Sequence, residues 1–329
     1  MKPINRRHFC MTTAGALAAA GAALPGAANA QAGWPSRPIT IIVPFAAAGS
    51  NDVIARAIAN ELSQSLKQPV IVENRPGAGS MLGAGLVAKA PADGYTLMLS
   101  SSSVTIGIAL KTGLSFDGRK DFTPIALAAS GPLMVVASNR LAARTPQEFV
   151  TLARANPGKL TYGSSGIGST PHMGMELLNH AANIQLLHVP YKGGAPVLND
   201  IMGGQLDLYF GSFPQVLPLV RAGKIKAIGV TSSQRSPLVP DIPPMADAIP
   251  NFSSDLWWGV FGPGNMPPNI VTLLNEEINK ALRSPAIRKF AETEGVVTGN
   301  LTADQFGKVY QEEIQEWEAL GKKLNIKLE

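Results

Sequence analysis

Past Cys10, the 329-residue sequence contains no cysteine. With no second thiol there is no disulfide framework, and the body of the chain has neither a cysteine nucleophile nor a thiolate metal site. Charge is scarce as well. Only 16% of residues are Asp, Glu, Lys or Arg, against about a quarter in an ordinary soluble domain. Low charge with 45% hydrophobic residues excludes a disordered chain or an acidic tail. The excess of positive charge is local: Lys2, Arg6 and Arg7 stand in a stretch with no acid. Beyond it 25 basic residues face 23 acidic ones, without a cluster, so nucleic acid is not expected as a partner. Long hydrophobic runs are missing too. The stretch from Cys10 to Ala23 has about 14 residues, short of the roughly 20 that a spanning helix needs.

What is present begins with an export signal. Asn5-Arg6-Arg7-His8-Phe9 gives a twin-arginine pair, followed by the apolar stretch, Pro25 and Ala28-Asn29-Ala30. A charged start, a short apolar centre and an A-x-A site read as a signal peptide over 1–30, cleaved after about Ala30. The Arg-Arg-x-Phe pattern favours the twin-arginine route, with the general route left open. Cys10 precedes the apolar stretch, which argues against a lipid anchor. The expected location is the periplasm.

From Trp34 onward short apolar runs alternate with longer amphipathic ones, the pattern of βαβ units. Ile39-Thr40-Ile41-Ile42-Val43 predicts a buried strand that stops at Pro44. Helices are expected over about 53–66, 80–90, 149–155, 171–182, 197–202 and 216–222. Strands are expected near 70–72, 96–99, 132–138, 160–162, 186–189, 206–210 and 227–230. Two charged helices, about 269–282 and 302–324, close the chain. Two βαβ blocks of similar size imply an α/β fold of two lobes with a cleft between them.

The loops after these strands end in small residues at helix starts: Gly49-Ser50-Asn51, Gly77-Ala78-Gly79-Ser80 and Gly166-Ile167-Gly168-Ser169-Thr170-Pro171. A helix start with Ser or Thr as cap and proline in the first turn offers free N–H groups and partial positive charge, which suits a carboxylate. Short capped turns without a ligand produce the same pattern.

Enzyme motifs fail on inspection. Gly163-Ser164-Ser165-Gly166 has Ile167 where a nucleophile elbow needs its last glycine. The run from Gly163 to Gly168 has Ser169 in place of a phosphate-binding lysine, and Gly77-Ala78-Gly79 meets Leu82 where a dinucleotide loop needs glycine. His172, His180 and His188 do not have the spacing of a zinc helix. His172 either lines a cleft or is a capping or surface residue, and Trp257-Trp258 reads as core packing rather than a ligand stack. No metal or cofactor is called for.

Longer stretches carry a family resemblance. They include Ile41-Ile42-Val43-Pro44-Phe45 with Gly49, Asp52 and Ala55-Arg56, then Val72-Glu73-Asn74-Arg75-Pro76-Gly77-Ala78-Gly79 and Asp93-Gly94-Tyr95-Thr96-Leu97. Further on come Asp121-Phe122-Thr123-Pro124-Ile125, Tyr162-Gly163-Ser164-Ser165-Gly166 and His188-Val189-Pro190-Tyr191-Lys192-Gly193. Gly203-Gly204-Gln205-Leu206-Asp207 and Arg235-Ser236-Pro237 complete the set. In this order they resemble the Bug-type (TctC-like) extracytoplasmic solute receptors of tripartite tricarboxylate transporters.

The resemblance implies a two-lobed periplasmic binding protein of the Venus-flytrap kind, type II-like, each lobe a mixed sheet flanked by helices. Lobe one would comprise 34–132 and 255–329, and lobe two 133–254, with crossing strands near Leu133 to Ser138 and Trp257 to Phe261 as hinge. The carry-over puts Phe45, Gly49, Ser50, Asn51, Asp52, Ser101 and Ser102 on the lobe-one wall. On lobe two it puts Ser164, Ser165, Gly168, Ser169, Thr170, His172, Tyr191, Gly211 and Ser212. Two departures stand out: Ala48 replaces a usual second glycine, and Gly211-Ser212 replaces an acidic residue present in several relatives. The implied ligand is a small organic acid (dicarboxylate, tricarboxylate or aromatic), and the implied partners are the permease components of such a transporter, the receptor itself being a monomer. No enzymatic activity is expected. Two alternatives use the same residues: an exported serine hydrolase with Ser164 or Ser165 and His172, and a ligand-sensing receptor for a membrane regulator.

Overall fold

Strand β1 (Ile39–Val43) forms where the sequence is β-branched and unbroken, and Pro44 ends it. The computed structural model describes residues 33–324, 326 and 328; the signal peptide and cleavage site expected from the sequence lie outside them. β1 lies parallel between β2 (Val70–Asn74) and β3 (Thr96–Ser101), and the helix α1 (Ser50–Ser65) crosses from β1 to β2. The helix α2 (Met81–Ala88), entered through a single turn at Ala78–Ser80, leads from β2 to β3. A helix absent from the sequence-based expectation, α3 (Ser103–Leu110), follows β3 directly.

Strand β4 (Phe122–Ala137), 16 residues long, is shared by two sheets. Its Phe122–Pro132 part runs antiparallel to β9 (Asp255–Pro263), which in turn borders β3. From Leu133 onward β4 pairs antiparallel with β7 (Leu208–Ser212) and β8 (Lys226–Val230). The strand therefore changes sheets between Pro132 and Leu133.

The second sheet continues from β7 to β5 (Thr161–Ser164) and β6 (Leu187–Pro190), all parallel. Around it stand α4 (Pro146–Ala155), α5 (Thr170–Ala182), α6 (Gly194–Gly203) and α7 (Phe213–Arg221). The chain then returns through β9 to the first sheet and adds α8 (Pro268–Leu282), α9 (Pro285–Glu294), the short β10 (Val297–Thr298) on β4, and α10 (Ala303–Leu324). The α9 helix and β10 were also not anticipated.

Each sheet has its own core. In the first lobe α10 buries Phe306, Tyr310 and Ile314, spaced four residues apart on one face, against Ile42, Met98 and Phe261. Full burial of such side chains contributes about 1.5–3 kcal/mol each. Trp257 and Trp258 are both buried. In the second lobe Val197, Ile201, Phe213 and Val216 pack from α6 and α7 onto Met134, Val136 and Tyr209. Among the described residues no helix is long and apolar enough to cross a membrane.

Candidate functional site

The carboxyl ends of four parallel strands face one cleft, and each feeds a helix start into it. β1 leads to α1 with Gly49 as cap, and β3 to α3 with Ser102. β5 leads to α5 with Ser169, and β7 to α7 with Ser212. None of these four caps makes a side-chain capping bond. Two caps elsewhere do: Thr145 accepts from Glu148 N–H at 3.2 Å, and Ser284 from Ile287 N–H at 3.3 Å. First-turn N–H groups in the cleft are thus left for other partners.

The lobes meet at these ends. Thr170 N–H donates to Ser103 Oγ at 2.9 Å, and Thr170 Oγ1 lies 2.9 Å from Ser102 Oγ and 3.1 Å from Ser103 Oγ. Ala46 N–H donates to Lys192 O at 3.1 Å. Gly79, at φ +61°, lies so close to the opposite lobe that a Cβ there would sit 2.0 Å from Ile167 O.

Between the walls lies a cavity with Phe45, Ser50, Asn51 and Ser101 on one side and Ser165, Tyr209, Ser212 and Gln215 on the other. Among the described residues none of its lining side chains is charged. The space open to the centre of a water-sized sphere is about 20 Å³, close to the minimum that holds one ordered water. An acid of several carbons enters only if the lobes part, and it fits beneath re-closed rims only if the side chains of the cavity wall give way. Asn51 Oδ1, Ser212 Oγ and Gln215 Nε2 are buried here without a hydrogen-bond partner. Such groups cost roughly 1–3 kcal/mol each when left unsatisfied, so the cavity wall is built for a polar occupant.

Of the sixteen residues anticipated, Phe45, Ser50, Asn51, Ser101, Ser165 and Ser212 come together on this wall. Gly49 caps α1 beside it, and Gly211 lets β7 pass tightly, since a Cβ there would meet Val216 at 2.2 Å. Ser102 and Thr170 form the contact between lobes, with Ser103, and Ser169 is the buried cap of α5, its Oγ without a partner. Gly168, at φ +81°, approaches Leu328. Four expectations need correction. Asp52 does not turn into the cleft: it accepts from Ala48 N–H at 3.0 Å and from Arg56 Nε at 3.0 Å. Burial pushes its carboxyl up, but the Arg56 and Ala48 hydrogen bonds outweigh this and hold it below the usual range. It thereby fixes the loop in which Ala48 adopts φ +61°. Tyr191 donates its hydroxyl to Asp200 instead of the cleft.

The other two corrections remove the hydrolase geometry. His172 Nδ1 accepts from Gly168 N–H at 3.1 Å, and its ring stacks on His188 with centroids 4.0 Å apart. Ser164, fully buried, lies 2.7 Å from His188 Nε2, so the serine's partner is the other histidine. Tyr162 extends the stack, 4.8 Å from His188, and donates its hydroxyl to Glu176. Burial, with the neighbouring His188 and Lys111 charges, lowers His172 to about 3, and burial lowers His188 to about 4. These are packed neutral imidazoles behind the wall. The triad arrangement, serine to histidine to acid, is not assembled among the described residues.

Ser103, the last of the serines that follow Leu99, lines the cavity with Ser101. Sequence reasoning missed Leu133, Pro171, Tyr209, Gln215 and Leu256 on the cavity wall. Gln215 had a usable signal, the spacing Ser212-x-x-Gln215 at a helix start. Nothing in the sequence pointed to Tyr209.

Residues 54–326 match the model of the tripartite tricarboxylate transporter family receptor. Protein BugT of Bordetella pertussis (strain Tohama I) is 35% identical over 315 residues, 95% of this chain and 96% of that protein. Two solved structures share the fold at 32% identity. R. palustris Rpa4515 with adipate has a TM-score of 0.86 over 90% of this chain and 99% of that one. MatC from Rhodopseudomonas palustris with bound malate has a TM-score of 0.83 over 87% and 99%.

Proposed function

This chain belongs to the tripartite tricarboxylate transporter receptor family, and from that premise we propose that it is a periplasmic solute-binding protein. It captures a small organic carboxylate between two lobes and hands it to the permease components of a tripartite tricarboxylate transporter. Lobe one consists of 34–132 with 255–329, and lobe two of 133–254. The exchange of partners along β4 at Pro132/Leu133 supports that division. The adipate and malate of the two solved relatives support the ligand class.

The observation that carries the reading is the uncharged cavity where four uncapped helix starts converge. A helix start contributes about 0.3–1 kcal/mol toward an anion, up to about 2 when partly buried. Each hydrogen bond to a charged group adds roughly 1.5–3 kcal/mol. A few such contacts reach the roughly 8 kcal/mol of micromolar binding without an arginine. An amino acid fits less well. Its ammonium needs a counter-charge, and the two candidate acids are engaged elsewhere: Asp52 with Arg56, Asp207 with Thr161 N–H at 2.8 Å and Thr161 Oγ1 at 2.9 Å. Asp207 precedes β7, at the end of the strand away from the cleft.

A thermal-shift panel of aliphatic diacids, citrate, aromatic acids and amino acids tests the reading, since a bound ligand raises the melting temperature by mass action. Stabilisation by one or more of the acids is expected. Stabilisation by aspartate or glutamate alone would overturn it.

A further inference from the structure

The same four-residue spacing opens two helices of this protein with opposite outcomes. Ahead of α10, Thr302 N–H donates to Gln305 Oε1 at 2.9 Å and Gln305 N–H donates to Thr302 Oγ1 at 3.2 Å. That reciprocal box is how S/T-x-x-E/Q normally satisfies two free donors. Ser212-Phe213-Pro214-Gln215 opens α7 with the same pattern, yet the box stays open. Ser212 is 3% exposed and its Oγ has no partner. Gln215 Oε1 accepts from the Tyr209 hydroxyl at 3.0 Å, and its Nε2 is buried with no partner. Both side chains line the cleft cavity.

Tyr209 decides which end of the amide faces inward. Burial pushes its hydroxyl up to about 12, Ser165 pulling the other way, so it stays a neutral donor. Ser165 Oγ lies 3.4 Å behind it, completing a chain from Ser165 through Tyr209 to Gln215. Space for this chain comes from Gly194, where a Cβ would sit 2.2 Å from Gln215 Nε2 and 2.4 Å from the Tyr209 oxygen. With Oε1 held by Tyr209, the amide N–H groups are what the cavity meets.

We propose that Gln215, oriented by Tyr209, is a specificity-determining residue: together with Ser212 Oγ it donates to the lobe-two end of the ligand, which must therefore be a carboxylate or carbonyl and not an ammonium. The inference rests on the carboxylate-receptor reading and names the chemistry of the ligand's second end. The bare acceptor on the facing wall, Asn51 Oδ1, carries no charge to neutralise an ammonium. A site built to hydrogen-bond one kind of group rejects an analogue that leaves its buried donors unpaired. Tyr209 is the positioning residue.

Gln215→Glu keeps the shape and can still accept from Tyr209, but it replaces the donor with a negative acceptor. Tyr209→Phe leaves the amide in place and frees it to rotate. Calorimetry on both variants and the wild type would use succinate, glutarate and adipate, each against the ω-amino acid with the same number of methylenes. Wild type should prefer the diacid of each pair. In Gln215→Glu the preferred diacid should weaken about tenfold or more while its amino partner gains. In Tyr209→Phe the ratio within the pair should narrow several-fold, with both members still binding. A Gln215 that merely supports the wall would weaken all probes in proportion, and unchanged ratios in both variants overturn this inference alone. Wild type that binds none of the six probes overturns the carboxylate reading and this inference with it.

Discussion

Gly79→Ala should hold the cleft ajar. The added Cβ would lie 2.0 Å from Ile167 O and 3.1 Å from Ile167 C, both backbone atoms that no rotamer change can move. Carbon rests no closer than about 3.3 Å to a carbonyl oxygen, so the two rims must separate by more than about 1 Å. Thr170 sits three residues beyond Ile167, and its 2.9–3.1 Å contacts with Ser102 and Ser103 would pass out of hydrogen-bond range. Three such bonds at about 1 kcal/mol each amount to roughly a hundredfold in the affinity of a ligand that requires closure. Gly113→Ala is the matched control. Gly113 also has positive φ, +71°, but nothing lies within 4 Å of its missing Cβ. Both variants carry about 1–2 kcal/mol of left-handed strain and a similar fall in melting temperature; only Gly79→Ala should lose affinity in calorimetry with the acid that stabilises the wild type. Equal affinity of the two variants would refute the argument that these rims meet in the binding-competent form.

Two further predictions concern buried ionisable groups. Glu313 accepts from Thr105 Oγ1 at 2.7 Å and Trp257 Nε1 at 2.9 Å, and burial raises its carboxyl to about 7. Because the folded value exceeds the ordinary 4.5, this contribution is complete below that pH and is lost as pH rises toward 7, at most about 3 kcal/mol. Glu313→Gln should therefore raise the melting temperature more at pH 8 than at pH 5, and an equal gain at both would contradict the assignment. His172 and His188 shift the other way, to about 3 and about 4. Their stabilisation is present above the unfolded value near 6.5 and is lost as pH falls toward 4 and 3. Two imidazole resonances should stay fixed from pH 8 to pH 5 in NMR titration; movement of both near pH 6.5 would show that the stack is open to water.

The elements that sequence made legible are those whose residues say the same thing locally and globally. Ile39–Val43 is β-branched, buried and ended by proline, and the three-turn apolar face of α10 has a clean helical period. The start of α1 was placed three residues late because Ser50-Asn51-Asp52 reads as loop; those polar residues are helical, with Asp52 tied to Ala48 N–H. Only the last third of β4 was anticipated, since Pro124 and Pro132 interrupt the pattern and the middle is Ala, Ser and Gly. A strand between two others normally excludes proline; this one tolerates Pro124 at a break in its register with β9 and Pro132 where it changes sheets. At the site, helix starts were readable from small residues and caps. The roles of Asp52, Tyr191 and Gln215 depended on what each polar atom meets, through Arg56, Asp200 and Tyr209, and spacing in one chain does not carry that information.

Strand β3 finds its neighbour β9 only after the whole of the second lobe has intervened: Leu99 pairs with Val260. A chain emerging N-terminus first therefore displays β1, β2 and β3 with the β3 edge still waiting for its partner and an uncovered apolar face. The cover arrives with β9 and α10, in the last quarter of the sequence. The second lobe, continuous in sequence, has its partners within reach much sooner, and loop closure favours it. The first lobe is thus both the earliest made and the last finished. Its waiting edge is the part of the molecule most exposed to wrong pairing with another chain, and stopping synthesis before α10 would leave the apolar face permanently without its lid of Phe306, Tyr310 and Ile314.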